Sequence, residues 1–122
     1  MSKQAPGDLK PVSQGEVWDA ELSPVRGHEQ AGRRPCVVVS TDRLGEGPSG
    51  LAIVVPLTSK GARTPLDVAI DPPEGGLDLS SHALPAQVRS ISRERLVRHR
   101  GRIRRETLEE VVAHVRLLIR TG

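Results

Sequence analysis

Polar and apolar residues alternate from Glu16 to Leu22, the two-residue period of a half-buried strand, and Ser23-Pro24 ends the pattern. Two denser runs follow. Pro35-Cys36-Val37-Val38-Val39-Ser40 and Leu51-Ala52-Ile53-Val54-Val55-Pro56-Leu57 are nearly continuous in apolar, mostly β-branched residues, which predicts strands buried on both faces. Leu66 to Asp71 alternates cleanly and predicts a strand with one wet face. Ala83 to Ile91 predicts another strand, then a helical turn near Ser92–Leu96 and a last short strand over Gly101–Arg104. Between these elements lie three stretches rich in charge, glycine or proline: Val25–Arg34, Asp42–Gly50 and Pro72–Ser81. All three are expected as loops or turns.

The period changes at the C-terminus. Leu108, Val111, Val112, Val115, Leu118 and Ile119 recur at three- and four-residue spacing, which predicts an amphipathic helix over 105–120. Glu106, Glu109 and Glu110 fall early in it, and Arg116 and Arg120 late, the order that complements the helix dipole. Residues 1–14 are polar, carry prolines and show no period, so they are expected as a flexible leader before a single domain at 15–122. Short strands followed by one helix predict a mainly β fold with α: a small antiparallel sheet or barrel with a helix packed on it.

Composition narrows the function classes. A chain of 122 residues is one domain. It has no apolar run long enough to span a bilayer and no apolar N-terminal segment, so a cytoplasmic location without membrane contact is expected. Cys36 is the only cysteine and lies within an apolar run, which excludes an intramolecular disulfide and predicts a buried small hydrophobe. The histidines are scattered, so neither a metal site nor a cofactor is expected. Net charge is +3 and pI about 9.7, with Arg89, Arg93, Arg95, Arg98, Arg100, Arg102, Arg104 and Arg105 crowded together. Guanidinium forks suit phosphates, which favours a nucleic-acid partner over a merely solvated basic face. Trp18 is the only aromatic residue, which argues against a base-stacking platform. Any RNA must be held by arginines, amides and backbone groups.

Three segments then occur in order. Gly15-Glu16-Val17-Trp18 is followed by Leu22-Ser23-Pro24 and by Gly27-His28-Glu29-Gln30-Ala31-Gly32-Arg33-Arg34-Pro35. Val54-Val55-Pro56-Leu57-Thr58-Ser59 comes next, and Gln87-Val88-Arg89-Ser90-Ile91 precedes the last strand and helix. Together they resemble the MazF/PemK/Kid family of type II toxins from Gly15 to the C-terminus. The resemblance implies an SH3-like small β-barrel with a C-terminal helix, a homodimer, and metal-independent, sequence-specific cleavage of single-stranded RNA. Its products would be 2′,3′-cyclic phosphate and 5′-OH ends, and its partner a MazE-like antitoxin.

Residue by residue, Arg34 corresponds to the family's catalytic arginine, a fixed charge suited to the phosphorane. Thr58 corresponds to its catalytic threonine, a hydroxyl donor at a strand end. Glu29 matches an acid on which family members depend and is the candidate base. His28, Gln30, Arg33, Ser59, Gln87 and Arg89 are expected to contact or position RNA. One position departs from the pattern: Ala86 stands where relatives often carry an acid. That leaves open a non-catalytic binding module on the same scaffold. A gyrase-inhibiting toxin of the CcdB type is the third reading, disfavoured by the Arg34 and Thr58 segments.

Overall fold

The computed structural model describes residues 10–22 and 32–121. Among these residues the strands are β1 (Glu16–Glu21), β2 (Arg33–Val38), β3 (Leu51–Thr58), β4 (Val68–Ile70), β5 (Ser81–Ala83), β6 (Arg89–Ser92) and β7 (Leu96–Arg102). A short helix α1 (Asp42–Glu46) lies between β2 and β3, and α2 (Arg105–Ile119) closes the chain. Single 3-10 turns stand at Glu74–Gly76, Pro85–Gln87 and Arg93–Arg95.

The strands form one antiparallel sheet in the order β4-β5-β3-β2-β1-β7, with β6 branching from β3. The path is open. β4 ends it on one side and β7 on the other, so the SH3-like barrel expected from the resemblance is not formed. After the three residues of β4 the chain enters the Glu74–Gly76 turn, which meets β1 and β7 by packing rather than by a strand ladder. The architecture is a mixed fold, an open seven-stranded sheet with a C-terminal helix.

Both faces are buried over Cys36–Val38 of β2 and Val54–Thr58 of β3, whereas Leu51 and Ile53 at the start of β3 are exposed, so the run over Leu51–Leu57 is buried on both faces only in its second half. Val17, Val37, Val55 and Leu57 point to one side, into a core shared with Val68, Ile70, Leu77, Ile103 and Val111 of α2. Ala20, Cys36, Val38, Ala52 and Val54 point to the other, with Val12, Leu22, Ile91 and Leu96. Val12 lies N-terminal to Gly15, within the stretch expected as leader, and only 1% of it is exposed.

The strand predicted over Ala83–Ile91 is two strands. β3 pairs with β6 through Leu51–Val54 and with β5 through Leu57–Thr58, and Pro56 stands at the changeover. A proline has no N–H to continue a ladder. Its carbonyl instead accepts from the Leu84 amide at 2.9 Å, and Pro85 then opens the 3-10 turn that separates β5 from β6.

The stretch Asp42–Gly50, expected as a loop, begins with α1. Its close packing requires Gly45: a Cβ there would stand 2.1 Å from the Val12 carbonyl oxygen. Helix α2 follows the periodic prediction, burying Thr107 and Val111 and packing Leu108 and Val115 on the first core. Leu117, Leu118 and Ile119 in its last turn remain exposed.

Candidate active site

Two strand ends and one turn enclose an open cleft of about 360 Å³. The start of β2 contributes Arg33 and Arg34, and the end of β3 contributes Thr58, followed by Ser59 and Lys60. Pro35, Leu57, Leu77 and Leu79 supply apolar wall, and Asp78 and Arg100 also line the cleft. Four cations (Arg33, Arg34, Lys60 and Arg100) line it against one carboxylate, Asp78, so the cleft favours an anion.

β2 and β3 pair in the register Cys36↔Pro56, Val37↔Val55, Val38↔Val54. Carried toward the strand ends, that register sets Arg34 beside Thr58. Arg34 is exposed, whereas Thr58 is only 4% exposed, and its Oγ1 accepts a hydrogen bond from the Lys60 amide at 3.2 Å. Arg33 pairs with Glu21 at 3.2 Å, but both side chains are about half in water, so the pair holds it weakly.

Arg100 is held far more firmly. Its Nη1 donates to both carboxylate oxygens of Asp19 at 3.3 Å, Nε and Nη2 donate to the Gly76 carbonyl at 3.3 and 3.1 Å, and Nη2 donates to Asp78 Oδ2 at 2.8 Å. The Asp78 hydrogen bond and the nearby Asp19 charge raise its pKa above the ordinary arginine value against the opposing effect of burial. Sequence reasoning missed Arg100 and its companions Lys60 and Asp78. The available signal was the two-residue spacing of Arg98, Arg100 and Arg102, which a longer last strand would have set on one face.

Of the sequence-predicted residues, the structure brings Arg33, Arg34, Thr58 and Ser59 together. Gln87 and Arg89 are not in this cleft. Gln87 ends the Pro85–Gln87 turn, and Arg89 starts β6 on the rim of an apolar groove lined by Val39, Ile53, Val88, Val115 and Ile119. His28, Glu29 and Gln30 lie outside the described residues. Cys36 is fully buried, and burial together with the Asp19 charge pushes its thiol up to about 12. Among the described residues no group of three or more His, Cys, Asp or Glu side chains is placed to hold a metal ion. Among them, too, no helix is long and apolar enough to cross a membrane.

Comparison with known proteins gives consistent results. The family described as PemK-like, MazF-like toxin of type II toxin–antitoxin system matches residues 13–119. The chain is 39% identical over 97 residues to endoribonuclease MazF9 of Mycobacterium tuberculosis, covering 75% of this chain and 82% of that one. Its fold is similar to that of a Deinococcus radiodurans MazF crystal structure, with a TM-score of 0.74 at 28% identity over 90% of this chain and 97% of the other. A MazE–MazF crystal structure from the same organism has a TM-score of 0.70 at 25% identity, covering 90% and 97%.

Proposed function

The chain belongs to the PemK-like, MazF-like toxin family and is a sequence-specific endoribonuclease toxin of a type II toxin–antitoxin system, and we propose that the Arg34–Thr58 cleft is where it cuts single-stranded RNA. The observation that carries this reading is the meeting of the β2 and β3 ends, which sets Arg34 and Thr58 in one cation-lined cleft.

The reaction needs no group beyond the substrate's own 2′-OH as nucleophile. That oxygen attacks the adjacent phosphorus, the 5′-oxygen leaves with a proton, and the products carry 2′,3′-cyclic phosphate and 5′-OH ends. Charge grows on the non-bridging oxygens during attack. Arg34 meets it with a forked, permanently charged donor, and Thr58 with a hydroxyl whose oxygen is already anchored by the Lys60 amide. Ser59, Arg33 and Lys60 extend the cationic and polar wall along the strand. Glu29 is the proposed proton acceptor, with His28 and Gln30 its neighbours in the sequence that precedes β2. At Ala86 there is no acid to share the work, so proton transfer rests on Glu29 and its neighbours.

Two partners complete the proposal. A second copy of the chain would cover the exposed Leu51, Ile53, Leu117, Leu118 and Ile119, placing Gln87 and Arg89 along the seam, where they would position RNA. A MazE-like antitoxin would inhibit the dimer, as the pairing named for the similar D. radiodurans structure suggests. The setting is the cytoplasm.

Incubation with a long single-stranded RNA in EDTA tests the reading. Discrete cuts with cyclic-phosphate ends are expected, and Arg34→Ala or Thr58→Ala should each abolish them. RNA left whole would favour a non-catalytic binding module, and cutting that survives both substitutions would remove the site assignment.

A further inference from the structure

Arg100 and Asp78 form an ion pair inside the cleft that the cutting reaction itself does not use. Every N–H of the Arg100 guanidinium is occupied, but its partners differ in kind. Asp19 is 8% exposed and the Gly76 carbonyl belongs to a rigid turn, whereas the Asp78 side chain is 85% exposed. The turn is locked against β7: Gly76 has φ of +66°, and a Cβ on it would fall 2.0 Å from the Arg100 carbonyl oxygen. Two partners therefore fix the guanidinium, while the third is a solvated carboxylate that can swing away at little cost. That carboxylate holds, toward the cleft, the donor direction a phosphate oxygen would take.

We propose that Arg100 is a second phosphate-binding residue of the RNA cleft, clamped by Asp19 and Gly76, and that Asp78 is its exchangeable counter-ion. The proposal rests on the reading of this cleft as the RNA site. Arg34 and Thr58 serve the scissile phosphate, and Arg100, which lines the same cleft from β7, takes a neighbouring one. RNA entry exchanges the Asp78 carboxylate for a phosphate oxygen on Nη2, and no covalent bond changes. Asp78 keeps the arginine paired when the cleft is empty and lowers affinity for weakly fitting strands.

The test uses a single-stranded oligonucleotide carrying the mapped cleavage motif with a 2′-deoxy sugar at the scissile position, so that it binds without being cut. Asp78→Asn should tighten binding about fivefold, the worth of one exposed ion pair. Arg100→Gln should weaken it about tenfold and reduce the slope of log affinity against log salt by about 0.7, the loss of one phosphate contact. In the Arg100→Gln background, Asp78→Asn should change nothing. On cleavable RNA the Arg100→Gln effect should fall on KM and spare kcat. Should Arg100→Gln melt below the assay temperature, Arg100→Lys takes its place, since one ammonium keeps Asp19 paired but cannot also fork onto a phosphate. Equal tightening by Asp78→Asn in both backgrounds would mean simple charge repulsion and overturn the proposal. So would unchanged RNA binding by the Arg100 variants, including the case where only binding of a poly-glutamate peptide changes. Arg34→Ala on the same RNA is the control for the underlying reading: if it neither weakens binding nor stops cutting, the cleft itself is misassigned, whatever Arg100 does.

Discussion

The Lys60 amide donates to Thr58 Oγ1 at 3.2 Å, so the hydroxyl oxygen is pinned while its proton is left to point elsewhere. Thr58 is 4% exposed and lines the cleft, and in the proposed reaction the phosphate of the RNA is its acceptor. Thr58→Val keeps the shape and removes the donor, and should lower kcat about 100-fold, the usual loss for one preorganised donor to a developing oxyanion. Thr58→Ser should keep activity within about tenfold. The lost Lys60 hydrogen bond should cost Thr58→Val about 1 kcal/mol in urea unfolding, small enough that the two effects separate. Equal rates for Thr58→Val and the parent would exclude the hydroxyl from the reaction.

Acid should loosen the joint between α2 and the sheet. Burial raises the Glu74 pKa, but hydrogen bonds from the Thr107 hydroxyl and the Arg104 amide, with the Arg104 charge, outweigh it and hold the carboxyl below its ordinary range. A group whose folded pKa is depressed contributes its stability above the unfolded value, about 4.3 for glutamate, and loses it as pH falls through the folded one. Asp67 behaves alike: burial is outweighed by the Arg63 and Thr64 amides and the Thr64 hydroxyl. Glu74→Gln should therefore cost about 1–2 kcal/mol at pH 7 and less at pH 3, read from urea midpoints. A cost that is the same at both pH values would mean that the ionised carboxylate does not hold the joint.

Strands β2 and β3 were legible in the sequence because burial on both faces over Cys36–Val38 and Val54–Leu57 leaves apolar runs, and α2 because an apolar stripe at 3.6-residue spacing fits a helix and no strand. The break between β5 and β6 depends on Pro56 of a different strand, so Ala83–Ile91 alone could not reveal it. Openness of the sheet is set by the turn after β4, whose Gly75–Gly76 backbone lies against Arg100 and Gly101. Arg34 and Thr58, which share the cleft, were singled out in the sequence by motifs flanking the strand ends. Arg100 was one arginine among many until that turn singled it out.

Cys36 should be chemically silent in the folded protein. Its thiol is fully buried and pushed up to about 12 by burial and by the Asp19 charge, so only about one in ten thousand is ionised at pH 8. A disulfide reagent at pH 8 should leave the native protein unlabelled and fully active, and should label one thiol per chain once urea unfolds it. Labelling at the same rate with and without urea would show that the β1–β2 region opens readily.

Arg93 is the charge whose removal should matter most to folding. It is 1% exposed, and its guanidinium donates to the carbonyls at the end of α1: Nη1 to Leu44 at 3.1 Å and to Gly45, and Nη2 to Gly47 at 2.8 Å. Among the described residues no carboxylate pairs with it, so the helix-end carbonyls and their dipole serve as its counter-charge. A five-residue helix containing a glycine has little stability of its own, which makes α1 dependent on this side chain and on Val12. Arg93→Met fills much of the volume but leaves three carbonyls without this donor, at a cost of about 3 kcal/mol or more. Arg93→Lys should fall between, because one ammonium cannot span all three. Urea unfolding gives the order, and RNA cutting measured well below each transition should stay within about twofold of the parent, since Arg93 does not line the cleft. An Arg93→Met variant as stable as the parent would mean that the α1 carbonyls find other donors and that the buried charge is not what holds the turn.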